Sequence, residues 1–261
     1  MNQFGVLLKK EWRENLRNYK LFWIPAVFIL LGIMEPVSNY FLPQILDSVG
    51  NLPEGTVLEF PTPLPEQVMT AIMGQYQLIG LLVIALAYMG TIAGERRSGT
   101  ATLLYVRPLS FTAYFMSKWM IAAIISLLSV WLGFLAGYYY TYLLFDSVDL
   151  AGLLHFGASY SLWILLVVSI VLVSSALMPN AGLAAAVSLA VIFISQVIDS
   201  LLGAYWTVSP LKLPAYAASW LAEAPDATDF WWSAGITVLL IALLVALGIF
   251  MSERKAATTK V

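Results

Sequence analysis

The chain has 261 residues, of which 61% are hydrophobic and 11% charged, and its mean hydropathy is +0.84. In soluble domains roughly a quarter of the residues are charged, so this composition excludes a soluble globular protein and indicates an integral membrane protein. The net charge is −2, there is no cysteine, and His155 is the single histidine. Disulfides and thiolate metal sites are therefore excluded, and one histidine argues against a His-rich metal centre or a catalytic triad.

Residues 1–20 are predicted to form an amphipathic helix in the membrane interface. Apolar residues recur there at helical spacing and cations lie on the opposite side. The apolar face comprises Phe4, Leu8, Trp12, Leu16 and Tyr19, and the basic face comprises Lys9, Arg13, Arg17 and Lys20. Aromatic rings suit the headgroup zone, and cations suit an anionic leaflet. An ordinary basic segment before a span is the alternative. The following apolar run has no small-x-small cleavage pattern, so we expect a retained anchor rather than a signal peptide.

Residues 21–41 form the first predicted span, because about 20 residues at about 1.5 Å rise cross a hydrocarbon core of about 30 Å. Residues 42–66 contain several prolines and acids but no Lys or Arg, which predicts an exposed irregular loop. The second predicted span is 68–93. Glu35 follows fourteen uncharged residues, 21–34, so we expect it toward the outer end of the first span. It is either a functional polar site or an acid that reaches water.

Residues 94–110 are the longest charged break between the apolar runs. Gly94 permits a sharp exit from a helix, and the charges at 95–97 cannot stay in hydrocarbon. A short helix is predicted from Thr100 to Val106, and Pro108 ends it. Leu103 and Leu104 give it an apolar side. Because it is too short to span a bilayer, we expect it to dock on another surface.

The second half of the chain predicts four more spans separated by short turns and one broken segment. The predicted spans are 111–144, 153–178, 182–202 and 231–251. Asp199 lies near the far end of the fifth span and is the second candidate for an intramembrane polar site. Residues 203–230 are apolar but interrupted by three prolines, so they predict short interfacial or re-entrant helices rather than a span.

The distribution of cations predicts the orientation. With six spans and the N-terminus inside, Lys212 is the one base of the 13 that falls outside. This is the asymmetry that the positive-inside rule expects. We therefore expect a multi-pass membrane protein with both termini and residues 94–110 in the cytoplasm.

The charged break carries a recognisable pattern of an acid and Arg, then Gly-Thr, Arg-Pro-Leu-Ser and a following Lys. Its members are Glu95, Arg96, Gly99, Thr100, Arg107, Pro108, Ser110 and Lys118. This pattern resembles the cytoplasmic loop of ABC-2 type transporter permeases, in the branch of small standalone permeases of bacterial exporters. The order of amphipathic "elbow" helix, six spans and broken segment before the sixth is also similar to that family. A plain loop whose charges only set topology is the alternative.

The resemblance implies an all-α integral membrane fold of one domain, with a coupling helix between the second and third spans that sits on a separate ATPase. Besides the motif residues, Arg97, Leu103 and Leu104 belong to this expected coupling site, and Glu95, Arg96 and Arg97 are expected to pair with the ATPase surface. No Walker-type GxxxxGK[ST] occurs in the chain. ATP and Mg²⁺ are therefore expected on the partner P-loop subunit, and no cofactor is expected here.

The other expected partners are membrane lipids and a second permease, either another copy or a sister chain; no nucleic acid is expected. A secondary transporter is the first alternative, but it would need paired intramembrane charges or an inverted repeat, and Glu35 and Asp199 are the candidates. A membrane scaffold or immunity protein that works without an ATPase is the second. An intramembrane enzyme is disfavoured because His155 has no identifiable acid partner. The sequence does not indicate the substrate.

Overall fold

A computed structural model describes residues 3–49, 62–99 and 110–259 of the chain. Within these ranges the regular structure is helical, with no strand. Six helices there are long and apolar enough to cross a membrane. The predicted all-α membrane fold with six spans is confirmed.

The helices are numbered in chain order. The first half contains α1 (Gln3–Arg17), α2 (Lys20–Val49), α3 (Pro65–Gln75), α4 (Leu81–Tyr88) and α5 (Ala93–Arg97). The second half contains α6 (Phe111–Leu144), α7 (Leu150–Leu177), α8 (Ala181–Leu202), α9 (Leu213–Ala222) and α10 (Ala227–Thr259). A π-helical turn joins α3 to α4, and two 3₁₀ turns join α8 to α9; they are Tyr76–Gly80, Gly203–Tyr205 and Pro210–Lys212.

Side-chain caps fix where three of the long helices begin. Ser110 Oγ accepts a hydrogen bond from the Ala113 amide at 3.3 Å before α6. The carboxylate of Asp149 caps α7 at 2.8 Å, and the side-chain oxygen of Asn180 caps α8 at 2.9 Å. Each cap satisfies a backbone N–H that has no partner within its own helix. The turn residues between spans therefore define the helix starts.

The backbones of α2 and α6 touch where two glycines meet. A Cβ on Gly133 would lie 2.6 Å from the carbonyl oxygen of Phe28, and one on Gly32 would lie 2.3 Å from that of Gly133. Small residues allow such close helix approach in membranes, where association depends on packing rather than on the hydrophobic effect. Tyr76, in the π-helical turn, donates a hydrogen bond to the Phe28 carbonyl at 2.8 Å. The second span is thereby attached to the same crossing.

The six long helices differ strongly in burial. In α7, 72% of the most apolar segment is buried within the chain, against 22% in α8 and 17% in α10. The helix α7 is thus the centre of the bundle. The helices α8 and α10 leave long apolar faces to lipid or to another chain.

One end of the bundle gathers five helix ends. There the last turn of α7 receives hydrogen bonds from Arg96 of α5 and from Lys255 of α10. Lys10 of α1 contacts Glu95 of α5, and the amide of Ser110 donates to the side chain of Gln3 at 3.2 Å. The N-terminal helix, both flanks of residues 100–109 and the C-terminal helix therefore lie together.

Candidate functional site

Glu95 is the charged residue that joins the second span to its neighbours. It lies on the short helix α5, and only 8% of it is exposed. Its carboxylate accepts a hydrogen bond from the Tyr114 hydroxyl at 2.6 Å, lies 2.9 Å from Lys118 Nζ, and contacts Lys10 Nζ. Glu95 is therefore buried and paired inside the chain. It does not present its carboxylate to an ATPase surface, although the sequence had led us to expect this.

A second buried acid completes the arrangement. Glu11 of α1 is 3% exposed and lies 2.8 Å from Lys118 Nζ and 2.9 Å from Lys10 Nζ. Lys10, Glu11, Glu95 and Lys118 form what we call the four-charge cluster, with two positive and two negative groups. The cluster ties α1, α5 and α6 together. Burial of this kind is tolerated only when charges are paired and hydrogen-bonded.

The protonation of Lys10 follows from the same contacts. Partial burial disfavours its charged form, but the attraction of Glu11 and Glu95 and their hydrogen bonds outweighs that cost, so the pKa of Lys10 is raised. Because folding raises the pKa of Lys10, its ion pairs contribute their full stabilisation at any pH below the ordinary lysine pKa. Lys10 is therefore charged throughout the physiological range.

The acids here also resemble a cation site in their spacing. Carboxylate oxygens of Glu11, Glu14 and Glu95 lie within 4.8 Å of one another. Lys10 Nζ contacts all three, at 2.9 Å from Glu11 and 3.2 Å from Glu14. The lysine ammonium group supplies the positive charge that a hard metal ion would bring, so we assign no metal.

Arg96 has a different role from its neighbour Glu95. Its guanidinium group donates to the carbonyl oxygens of Ala176 at 2.6 Å and Ser175 at 2.9 Å, and it contacts that of Met178. These carbonyls belong to the last turn of α7, where helical acceptors have no intrahelical partner and a cation is favoured. Arg96 therefore caps the C-terminus of the most buried helix.

The hydroxyl of Ser175 holds the turn that leads into α5. Ser175 Oγ accepts from the amides of Ile92 at 3.0 Å and Ala93 at 3.1 Å, and it donates to the carbonyl of Met89 at 2.7 Å. A single side chain thus satisfies three backbone groups where the second span unwinds. The position of α5 is fixed by α7 as well as by α1 and α6.

The flanks of residues 100–109 are described, and the residues between them are not. Arg97 and Gly99 are exposed, and Gly99 has a φ of +76°, a left-handed conformation that favours glycine. Ser110 starts α6 on the other side. The predicted coupling residues Thr100, Leu103, Leu104, Arg107 and Pro108, and with them the predicted coupling helix, lie outside the described residues.

Glu35 and Asp199 have separate partners. Glu35 contacts the side-chain amide of Gln75, and the side chain of Asn39 donates to its carbonyl at 3.0 Å. Asp199 lies 3.3 Å from Lys212 Nζ and accepts a hydrogen bond from Trp206 at 3.0 Å. The pairing of Asp199 with Lys212 fixes the segment after α8, and neither acid adjoins the four-charge cluster.

Several residues of the site were absent from the sequence prediction. The acid Glu11 and the amide Asn15 are buried with Leu7 on one face of α1, at a spacing of four residues. An acid in register with buried apolar residues is a signal for a buried ion pair, and it was available in the sequence. Tyr114 had no such signal, because nothing in its local sequence indicates that Glu95, 19 positions earlier, folds back onto its hydroxyl.

Comparison with known proteins agrees with this architecture. Residues 6–257 match the family described as ABC-2 family transporter protein. The chain is also 32% identical over 259 residues to a Bacillus subtilis (strain 168) protein described as "Uncharacterized transmembrane protein YxlG", covering 97% of this chain and 98% of that protein. The chain therefore belongs to the ABC-2 family of transporter proteins and is a membrane permease of the ABC transporter type.

Proposed function

We propose that this permease is the membrane subunit of an ABC exporter and that residues 94–110 receive the movement of a separate ATPase. The observation that carries the proposal is the attachment of Glu95 and Arg96, two neighbouring residues, to three different helices. Glu95 binds α1 and α6, and Arg96 binds the end of α7. A force applied to the adjoining loop would reach all three helices at once.

The proposed sequence of events starts at the ATPase. Closure of an ATP-bound pair of subunits pushes the segment from Thr100 to Val106, and α5 passes the displacement to α1, α6 and α7. The spans then rotate and change the side of the membrane to which the substrate path opens. The membrane chain binds and transmits, and the ATPase supplies ATP and Mg²⁺ chemistry. Differential contact of the loop with the two states of the ATPase is the source of coupling.

The orientation belongs to the same proposal. The helix ends that meet around the four-charge cluster carry both termini and the flanks of the loop, and most cations of the chain lie in these segments. The positive-inside rule then favours a cytoplasmic location for this end of the bundle. That is the side on which ATP is available.

A pull-down with matched variants tests the proposal. The tagged chain is purified from its native membrane in a mild detergent, and stoichiometric partners are identified by mass spectrometry. We expect a P-loop ATPase, and we expect Leu103→Asp to lose it because a charge enters the predicted docking face. Leu150→Asp is the control, since Leu150 is 61% exposed and follows the Asp149 cap of α7.

Two results would contradict the proposal. The first is a wild-type chain that is folded but copurifies with no ATPase, which would favour a secondary transporter or a scaffold. The second is an ATPase that stays bound and remains stimulated in Leu103→Asp. Direction is tested separately in inverted vesicles, where an exporter moves its substrate into the lumen when ATP is added outside.

A further inference from the structure

A polar cavity of about 210 Å³ lies beside the four-charge cluster. Its walls come from the second half of α1, the first residue of α2, the end of α4 with the turn that follows, and α6. We call it the α1 cavity. The lining groups on which the argument depends are Glu14, Asn15, Lys20, Tyr88 and Thr91.

Three of these lining residues have buried polar atoms that form no hydrogen bond with any residue that the structure describes. Asn15 is 8% exposed; its Nδ2 donates to the Glu11 carbonyl at 2.9 Å, but its Oδ1 has no partner among the described residues. The hydroxyl of Thr91 likewise has none there. The Tyr88 hydroxyl lies near Ser126, but the two form no hydrogen bond of normal geometry. Buried polar groups are nearly always satisfied, so these atoms point to something that occupies the cavity.

The charges around the cavity are balanced but not all paired. Two acids and two bases line it, and Glu11 and Lys118 are paired with each other at 2.8 Å. Lys20 Nζ lies 5.1 Å from the centre of the Tyr88 ring, and in the described part of the chain no carboxylate is within ion-pair distance of it. Glu14 is exposed and lies 3.2 Å from Lys10. Lys20 is therefore the unpaired charge of the described lining and favours an anionic group, whereas Asn15 Oδ1 needs a hydrogen-bond donor. A zwitterion with separated charges supplies both.

The position of the cavity at the ends of the first two spans indicates which zwitterion can reach it. Lys20 is the first residue of the first candidate span, and Tyr88 and Thr91 lie in the last turns of the second. Lysines at span ends and an amphipathic helix beside them are typical of the headgroup layer. A phospholipid headgroup is therefore the zwitterion that reaches this position.

We propose that the α1 cavity binds a phospholipid headgroup that contains both a phosphate and a primary ammonium group, as in phosphoethanolamine. Lys20 and the hydroxyls of Tyr88 and Thr91 donate to the phosphate. Glu14 and Asn15 Oδ1 accept the N–H groups of the ammonium. A choline headgroup has the same charges but no N–H, so it gives Asn15 Oδ1 no donor, and a glycerol headgroup has hydroxyl donors but no cation to place beside Glu14. The lipid then joins α1 to the ends of the first two spans.

Native mass spectrometry of the purified full chain tests this inference without any ATPase. The protein is exchanged into detergent with equal amounts of phosphatidylethanolamine, phosphatidylcholine and phosphatidylglycerol with identical acyl chains. We expect one tightly held lipid and a preference of about tenfold for phosphatidylethanolamine, the ratio that the loss of one charge-assisted hydrogen bond produces. Retention of the three lipids in proportion to their abundance would overturn the proposal, because the cavity would then select no headgroup.

Variants separate the two ends of the headgroup. Lys20→Gln should weaken phosphatidylethanolamine and phosphatidylcholine alike, because both have the phosphate. Asn15→Leu should remove the preference between them, and Thr91→Val, an almost isosteric change, should lower retention with little effect on folding. Arg13→Gln is the matched control: Arg13 lies on α1 but lines an open groove instead of the cavity. Wild-type retention of phosphatidylethanolamine in both Lys20→Gln and Thr91→Val would contradict the assignment.

Soluble phosphoethanolamine distinguishes a lipid from a free solute. If it raises the melting midpoint of delipidated protein while no phospholipid is retained, the cavity serves a small molecule and the lipid proposal is wrong. If phosphatidylethanolamine is retained and soluble phosphoethanolamine competes only at far higher concentration, the membrane-anchored headgroup is the ligand. Neither result depends on whether the loop at 94–110 engages an ATPase.

Discussion

Lys118 shows how much depends on a single side chain in this permease. It is 2% exposed and lies within 3 Å of both Glu11 and Glu95. Two carboxylates in an apolar setting repel each other, and the ammonium groups of Lys118 and Lys10 balance them. The residue therefore holds α1 and α5 against α6 by charge rather than by apolar packing.

We predict that Lys118→Met destabilises the protein strongly although methionine has a similar shape. Removal of one partner from a buried ion-pair network leaves uncompensated charge and costs about 3–5 kcal/mol. The measurement is the midpoint of thermal unfolding in detergent. Lys9→Met is the control, because Lys9 lies on the exposed side of α1. Equal midpoints for the two variants would show that the four-charge cluster contributes little.

At the scale of elements, α5 is a junction between the loop and the bundle. Its neighbouring arginines differ in their environment: Arg96 caps α7 and Arg97 is exposed. The same chemical change at the two positions therefore distinguishes transmission inside the permease from contact with a partner.

We predict that Arg96→Gln lowers the melting midpoint and uncouples ATP hydrolysis from transport, whereas Arg97→Gln leaves the midpoint unchanged and weakens ATPase binding. Each lost hydrogen bond to a charged group costs about 1.5–3 kcal/mol, so the loss at Arg96 is measurable. ATPase stimulation in proteoliposomes and unfolding midpoints are compared for the pair. Identical behaviour of the two variants would contradict the assignment of Arg96 as an internal cap.

The crossing of α2 and α6 supports a second element-scale prediction. Gly133→Ala places a methyl group 2.6 Å from the Phe28 carbonyl and 2.1 Å from the Tyr76 hydroxyl, so the helices must separate. Overpacking of this kind costs about 1–3 kcal/mol. Gly74→Ala is the control, because no atom of the described residues lies within 4 Å of a Cβ at Gly74. We expect a lower unfolding midpoint for Gly133→Ala alone. An equal decrease in Gly133→Ala and Gly74→Ala would show that the close crossing of α2 and α6 is not the cause.

At the scale of the whole molecule, the sequence predicts what depends on local composition. Six apolar runs of membrane length require six spans, and the loop motif leads to the family; both predictions are confirmed. The prolines of residues 203–230 also exclude a span there, and that stretch contains two 3₁₀ turns and α9. The predicted coupling role of residues 94–110 stays a prediction.

Contacts between residues that are far apart along the chain could not be predicted from the sequence. Lys10 and Glu95 are separated by 85 positions, and Glu11 and Lys118 by 107. A charged loop residue such as Glu95 is predicted to be exposed, because the local composition does not indicate the neighbouring helix that buries it. The π-helical turn at Tyr76–Gly80 is equally hidden, since its residues have an ordinary helical pattern. Tertiary packing decides such features.

The outer helices raise the question of a second permease chain. On α8, Gly182, Ala186 and Ala190 are all exposed at a spacing of four residues. Small residues at this spacing allow two helices to approach closely in a membrane. The face of α10 is equally exposed but has bulky side chains such as Leu239 and Leu243, which suit lipid. We therefore expect α8 rather than α10 to face the second chain.

The absence of native cysteine allows a clean test of this last prediction. Single-cysteine variants Ala186→Cys on α8 and Gly235→Cys on α10 are oxidised in native membranes, and dimers are counted on non-reducing gels. Both positions are exposed, so reactivity alone gives equal yields. We expect a disulfide dimer for Ala186→Cys and little for Gly235→Cys. The reverse pattern would place α10 at the interface, and no dimer at either position would favour a sister permease that lacks a cysteine there.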